Sequence, residues 1–536
     1  MQRWMTGLCL FVFVLMVSCA MSETIFPYKY QTESLPNGLK VIMIPMESPG
    51  LVAYYSVVRT GSRDEVEKGK SGFAHFFEHM MFRGTRKYPG SVYDSIVTSI
   101  GANANAYTTD DYTAFHLNFA KEDLEKVIDI ESDRFQHLFY EEPAFQTEAG
   151  AVYGEYRKSI TSPFSVLNEK MQDLAYDVHT YKHTTIGFEA DIKAMPQGYE
   201  YSKSFFSRFY RPDNVVIIIA GDIDTKATMK LITQYYGGWQ KGYQMPDVKP
   251  EPPQNGERKA EVSYPGRTLP ILDIAYKGDA LNPENRDFVA AILLGDLAFG
   301  ENSDSYKKLV IQEQKVENIG CSTPINRDAP LFEVYSMVKK VEDIDSVRDE
   351  VYRTLEKFKS SPIDEKKLND LKRRNKYGFL MGLDTPDHVA GGLARFVALT
   401  GGIEVVDQLY SELTKVTPQD VMNAARKYFV PDSRTVVVPS SLIIFWMTSL
   451  TVSEEISAPE PAPAEPAPTV KPVVKKNFIG NMPCGVCMYL FVVTRLIVDS
   501  CMPMSSATPF RTMGLSREIP WSRNSVWNLT ILSATL

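Results

Sequence analysis

The sequence predicts a chain built from two copies of one mixed unit of about 200 residues, each carrying strands and helices. Three observations lead there. Met195-Pro-Gln opens a helix that runs to Tyr210, followed by Pro212-Asp213 and the strand Val215 to Ala220. Thr417-Pro-Gln-Asp opens a second helix that runs to Tyr428, followed by Pro431-Asp432 and the strand Thr435 to Val438. The two Pro-Asp pairs stand 219 residues apart, and near that offset the β-rich run at Val52 meets Ile271 in the run Leu269 to Tyr276. The 536 residues, 44% hydrophobic and 23% charged, are ample for a sizeable core.

The elements follow in order. Arg3, the apolar stretch Leu8 to Val17 and the small residues Ser18-Cys19-Ala20 read as an export signal over residues 1–20, too short for a membrane span. Met16-Val-Ser-Cys19 also resembles a loose bacterial lipobox, which makes a lipid anchor on Cys19 the alternative to a free protein. Leu35 to Pro45 holds an Asn-Gly turn and a β-rich run, and Leu51 to Val58 is a second such run. Gly72 to Met81, Lys121 to Tyr140 and Pro143 to Ile160 have helical spacing, with Pro143 suited to a first turn. Thr417 suits an N-cap. The first domain is read as 26–242 and the second as 257–440, joined by a Pro/Gly/Gln-rich stretch. Residues 457–475 are a Pro/Ala/Glu-rich linker, and 477–536 form a tail without clear periodicity.

Charge and cysteine content narrow the function. A net charge of −8 without a basic block argues against nucleic acid as a partner. Cys321 alone in the body excludes a disulfide framework, and Cys484 and Cys487 lack the second pair that a zinc knuckle needs.

His75-Phe-Phe-Glu-His79 places two imidazoles four residues apart, on one helical face, where both can reach one ion. Zinc accepts imidazole nitrogen and carboxylate oxygen, and Glu78 is free to act as a general base toward water. The helix after Pro143 offers Glu148 and Glu155, seven residues apart and so on one face. One of them can complete the metal site while the other fixes an imidazole tautomer. The remaining histidines, His116, His137, His179, His183 and His388, lack paired spacing and are read as structural or surface residues.

These residues resemble the pitrilysin/insulinase family of zinc metallopeptidases, the inverzincins, in its small two-domain form. Gly72 to Thr85 is similar to the family's zinc helix, and Glu155 stands 76 residues after His79, where the family has its third ligand. Glu148 then takes the place of the supporting glutamate. Gly101 to Thr108 resembles the strand that lines the family's substrate site, which implies substrate contacts at Asn105, Ala106, Tyr107 and Thr108. The resemblance implies an α+β fold of two similar domains. Each is an antiparallel-rich sheet with helices packed on one side, and together they form half of a clamshell chamber. It also implies one zinc per chain and endopeptidase action on extended peptides or unfolded segments. The family often carries an Arg and a Tyr, seven apart, in the second half; here those positions hold Val310 and Glu317. The absence implies a partner, a similar zinc-free subunit that supplies the pair, or else a homodimer. The alternatives are a non-catalytic scaffold subunit of the same fold and a peptide-binding protein with a structural zinc. The export signal implies the bacterial periplasm.

Overall fold

The run Leu51 to Val58 is apolar at odd and even positions alike, so a strand made from it needs cover on both faces. In the computed structural model, which describes residues 24–439, it has that cover. The first half contributes β1 (Gln31–Ser34), β2 (Lys40–Pro45), β3 (Leu51–Val58), β4 (Asn103–Thr108), β5 (Thr113–Ala120) and β6 (Val215–Gly221), in the sheet order β1-β2-β6-β3-β5-β4. The second contributes β7 (Arg258–Val262), β8 (Ile271–Lys277), β9 (Val316–Ser322), β10 (Leu331–Val338) and β11 (Arg434–Pro439), in the order β7-β11-β8-β10-β9. Apart from β1 the two orders correspond strand for strand. Each sheet has one parallel pair, β2 with β6 and β7 with β11, and is otherwise antiparallel. The 219-residue offset matches β3 to β8 and β6 to β11, which hold equivalent places. The export signal with Cys19, the 457–475 linker, Cys484, Cys487 and the 477–536 tail lie outside the described residues.

Between β3 and β4 lie α1 (Phe73–Met80) and α2 (Gly90–Ser99). After β5 come α3 (Leu124–His137), α4 (Glu142–Ser159) and α5 (Pro163–Ala175). After β10 the second half repeats the series with Ile344–Ser360, Glu365–Met381 and Pro386–Thr400. Local signals fix the ends. Proline sits in the first turn of α4, and Thr417 caps the helix Pro418–Tyr428 in a capping box with Asp420.

Each half lays its own helices on one face of its sheet. Tyr54, Phe115, Leu117, Ile217 and Ile219 share a core with Phe73, Phe76 and Phe77 of α1 and Phe145 and Val152 of α4. The opposite face is covered by the other half. Tyr55, Val57, Ala114, Val216 and Ile218 share a core with Leu393, Ala394 and Val397 of Pro386–Thr400, which packs on β3 and β6. The exchange is reciprocal: α5 packs on β7, β8 and β11, where Leu167, Met171 and Ala175 meet Val262, Ile271, Ala275 and Val437.

Polar contacts lock the same junction. The Arg327 guanidinium donates to the carbonyls of Arg59 at 3.3 Å, Asp111 at 3.3 Å and Ala398 at 3.1 Å. The Asp111 carboxylate accepts from Arg327 N at 2.9 Å and from the Tyr181 hydroxyl at 2.7 Å. Asp328 accepts from Arg63 at 2.5 Å and lies 3.0 Å from His179 Nε2.

The face of the second sheet that meets α5 also carries two acids, Asp273 on β8 and Glu333 on β10. Burial pushes Asp273 up to about 7, and one of its oxygens has no hydrogen-bond partner among the described residues. Burial, reinforced by the Asp273 charge, pushes Glu333 well above the usual carboxylate range. Both therefore hold a proton in the folded chain at pH values where the unfolded chain has released it. The destabilising effect of Asp273 grows as pH rises from the ordinary carboxylate range to about 7, and that of Glu333 grows in the same direction. Asp273→Asn is expected to melt higher than the wild type at about pH 8, by roughly 2–4 °C per kcal/mol gained, and together with it at about pH 4. A melting series across that range checks this; a difference independent of pH contradicts it.

Candidate metal centre and active site

The eight residues of α1 split cleanly between two environments. Phe73, Ala74, Phe76, Phe77 and Met80 are buried, whereas His75, Glu78 and His79 share the open side. The buried side is aromatic: Phe77 stacks on Phe205 with centroids 5.1 Å apart, and Phe76 meets the Phe145 edge at 5.0 Å. Each such phenyl ring contributes about 1.5–3 kcal/mol by burial. The helix starts at Gly72, whose φ of +91° and close approach to the Ile186 carbonyl leave no room for a Cβ. Its first N–H groups are capped from a distance: the Glu65 carboxylate accepts from Gly72 N at 2.7 Å and Ala74 N at 2.5 Å. Burial pushes Glu65 well above the usual carboxylate range, and these two N–H groups oppose that shift.

α4 packs beside α1 and presents Glu148 and Glu155 to it. His75 Nε2 lies 3.6 Å and His79 Nε2 3.4 Å from Glu155 Oε2. A zinc ion with bonds of 2.0–2.1 Å in tetrahedral geometry separates its ligand atoms by roughly 3.3 Å, so these spacings match the edges of such a shell. This trio is the one cluster of metal-binding donors among the described residues, with all ligand atoms within 4.8 Å of one another. Two of the donors, His75 and Glu155, are shifted in the direction that suits a metal ligand. Burial pulls His75 down to about 4 against the pull of Glu155, which leaves its imidazole neutral at physiological pH. The His79 hydrogen bond holds Glu155 below its ordinary value.

Glu148 is buried and supports the trio from behind. Its Oε1 lies 2.9 Å from His79 Nδ1, and its other oxygen accepts from the Arg83 guanidinium. His79 is thereby fixed with Nε2 toward Glu155. His75 Nδ1 is buried without a partner among the described residues. Glu78 stands beside the trio, and its Oε2 accepts the Thr108 hydroxyl at 2.7 Å. Burial raises Glu78 above its ordinary value, opposed by the Thr108 bond and the His79 charge, while Glu155 adds to the rise.

β4 is the edge strand of the first sheet next to α1, and it carries the four residues expected to contact substrate. They divide by strand alternation. Ala106 and Thr108 face α1, whereas Asn105 and Tyr107 face the other side, where Tyr107 meets Tyr112 and His116. The Asn105 side chain accepts from Ala106 N at 2.9 Å. The other histidines stand apart from the trio. His179 pairs with Asp328, His183 bonds the Thr184 carbonyl, His116 stacks on Tyr55, His388 pairs with Asp384, and His137 is exposed. Val310 lies in the short π-helical turn Lys307–Gln312, and Glu317 is exposed on β9 within 3.6 Å of Lys339. Three contacts lay outside the sequence reading: the Glu65 cap, Arg83 on Glu148, and the Thr108 side chain on Glu78. Arg83 alone carried a signal, its i+4 spacing from His79.

Comparison with known proteins bears on the family and the fold. The profile of the insulinase family, peptidase family M16, matches residues 50–188, and that of the M16 inactive domain matches residues 199–375. The chain belongs to the insulinase (M16) family. Zinc protease PqqE of Helicobacter pylori is 27% identical over 417 residues, covering 76% of this chain and 92% of that protein. The β subunit of mitochondrial-processing peptidase from Saccharomyces cerevisiae is 24% identical over 406 residues, covering 73% and 87%. A crystal structure of a Helicobacter pylori protease superposes with a TM-score of 0.73 at 26% identity, over 77% of this chain and 99% of that one. The first half of the periplasmic protease PqqL from Escherichia coli shares the fold at a TM-score of 0.64 and 19% identity, over 81% of this chain and 98% of that one. The His75, His79 and Glu155 donor cluster of this M16 chain falls inside the first matched segment, and the segment matched by the M16 inactive-domain profile holds no such cluster among the described residues.

The capping role of Glu65 has a direct consequence. Glu65→Ala leaves two buried N–H groups unsatisfied and is expected to destabilise the fold by about 1–3 kcal/mol. Denaturant unfolding of the variant measures it; wild-type stability contradicts the cap.

Proposed function

We propose that this chain is a zinc-dependent endopeptidase that hydrolyses peptides or unfolded protein segments, with zinc on His75, His79 and Glu155 and Glu78 as the general base. The observation that carries the reading is the pair of 3.4 and 3.6 Å separations around Glu155 Oε2, beside a buried carboxylate and a free strand edge. The peptidase relatives support the class of reaction.

The chemistry follows from the residues present. A substrate in extended form adds a strand to the free edge of β4, which selects against folded proteins. A zinc ion held by the trio would supply Lewis-acid polarisation of the scissile carbonyl and acidify the attacking water. Glu78 takes the proton of that water and returns it to the leaving amine. Glu148 and Arg83 hold His79 in the tautomer that leaves Nε2 free for the metal. The Arg and Tyr implied by the family resemblance have no counterpart at Val310 and Glu317, so a zinc-free partner subunit supplies the pair; a homodimer of this chain would work without it. A relative named as the β subunit of a processing peptidase supports the two-subunit form. A relative named as a periplasmic protease supports export, for which residues 1–20 supply the signal.

Glu78→Gln is expected to keep zinc and lose cleavage of a quenched peptide library by on the order of 10²–10⁴-fold. Wild-type turnover by that variant ends the assignment. Chelation should abolish cleavage and added zinc restore it. Glu148→Ala should weaken zinc binding about 10–100-fold in a competition titration with a fluorescent chelator, and unchanged affinity would remove Glu148 from the site.

A further inference from the structure

We propose that Thr108 is a positioning residue for Glu78. Its hydroxyl fixes the plane of the Glu78 carboxylate so that one oxygen is left to take the proton of the attacking water. The inference rests on the reading of Glu78 as the base, and assigns to Thr108 a task other than pairing with substrate.

The hydrogen-bond directions decide it. A threonine hydroxyl has one proton to give. Thr113, the partner of Thr108 across the β4–β5 ladder, gives its own to the Thr60 carbonyl at 3.0 Å. Thr108 lies 3.5 Å from Thr113 and 2.7 Å from Glu78 Oε2. A carboxylate cannot donate when ionised, so the Thr108 proton lies on Glu78 and occupies Oε2. The terminal torsion of a glutamate is broad and weakly restrained, so without this bond the carboxylate plane is poorly defined.

Thr108 is itself held in place. It is the last residue of β4, and the turn that follows closes with Thr109 N donating to the Tyr112 carbonyl at 2.8 Å. Within that turn the Asp111 carboxylate is fixed by Tyr181 and by Arg327 N, and Asp110 accepts from Ser62 at 3.3 Å and Asn326 at 3.4 Å. Asn326 and Arg327 belong to the metal-free half. The half without ligands thus helps to set the position of the base, through one turn and one hydroxyl.

The test compares Thr108→Val with Thr108→Ser in the zinc-loaded full chain. Valine keeps the shape and strand preference of threonine and removes the hydroxyl. Thr108→Val is expected to lower kcat roughly 10–100-fold, the worth of one hydrogen bond to a charged group, with KM within about 3-fold of wild type and unchanged zinc content. Thr108→Ser should restore kcat to within about 3-fold of wild type. A crystal structure of Thr108→Val should show the Glu78 carboxylate rotated or in several conformers. Wild-type kcat in Thr108→Val, a loss confined to KM, or an unmoved Glu78 would each overturn the proposal. Glu78→Gln, run alongside, separates the two readings: wild-type turnover there defeats the base itself, whereas a dead Glu78→Gln beside an active Thr108→Val defeats only the role of Thr108.

Discussion

A helix of eight residues is not stable by itself: nucleation is unfavourable, and most of its terminal N–H and C=O groups lie outside the internal ladder. α1 must nonetheless hold two imidazoles and a carboxylate to within fractions of an ångström. It does so because both of its liabilities are met from outside. Glu65 takes otherwise unpaired N–H groups at one end, and the phenyl rings of Phe73, Phe76 and Phe77 are buried against α4 and the helix Tyr199–Phe209. The polar face is then rigid because the apolar face has no freedom. α4 adds the third donor and, two turns earlier, the carboxylate that orients His79. The same packed aromatic layer therefore sets both the stability of the helix and the spacing of the donors.

The two halves differ in what they add to an otherwise shared plan. The interval that carries α1 and α2 in the first half is occupied in the second by Arg286–Phe299, a longer helix buried along most of its length. That helix serves as core, and its sequence offers no pair of histidines. The counterpart of α4 is Glu365–Met381, whose burial is confined to Leu368 and Leu371. The two halves thus share the sheet order, while helices carrying a cluster of potential metal donors stand in one half only among the described residues. The third helix after β5 and the third after β10 are the ones exchanged between halves, so the exchange itself obeys the internal symmetry. A symmetric pair of single halves would meet in the same way, with one surface patch used twice.

Much of this was legible in the sequence because the signals are local. The spacing of His75 and His79 and the seven-residue interval between Glu148 and Glu155 are helical periods, and the structure places those side chains on facing helices. The run Leu51 to Val58 read as a strand because nothing in it is polar except Ser56. Contacts that depend on where a loop or a strand face ends up were not legible. Glu65 lies in a segment without period, so nothing marked it as a cap. Thr108 read as a strand residue for backbone pairing, and its side-chain role followed only once the alternation of β4 was fixed. The exchange of α5 and Pro386–Thr400 was hidden for a related reason. An amphipathic pattern reports that a helix has an apolar face, not which sheet will receive it.

That exchange has a mechanical consequence. If the halves rotated apart like the leaves of a book, α5 would be pulled from β7, β8 and β11 and Pro386–Thr400 from β3 and β6 at once. Two apolar faces would meet water, and the Arg327 contacts would break with them. Within one chain the two halves are therefore stiff relative to each other, with no hinge at their junction. The two halves of the chain thus move as one rigid body.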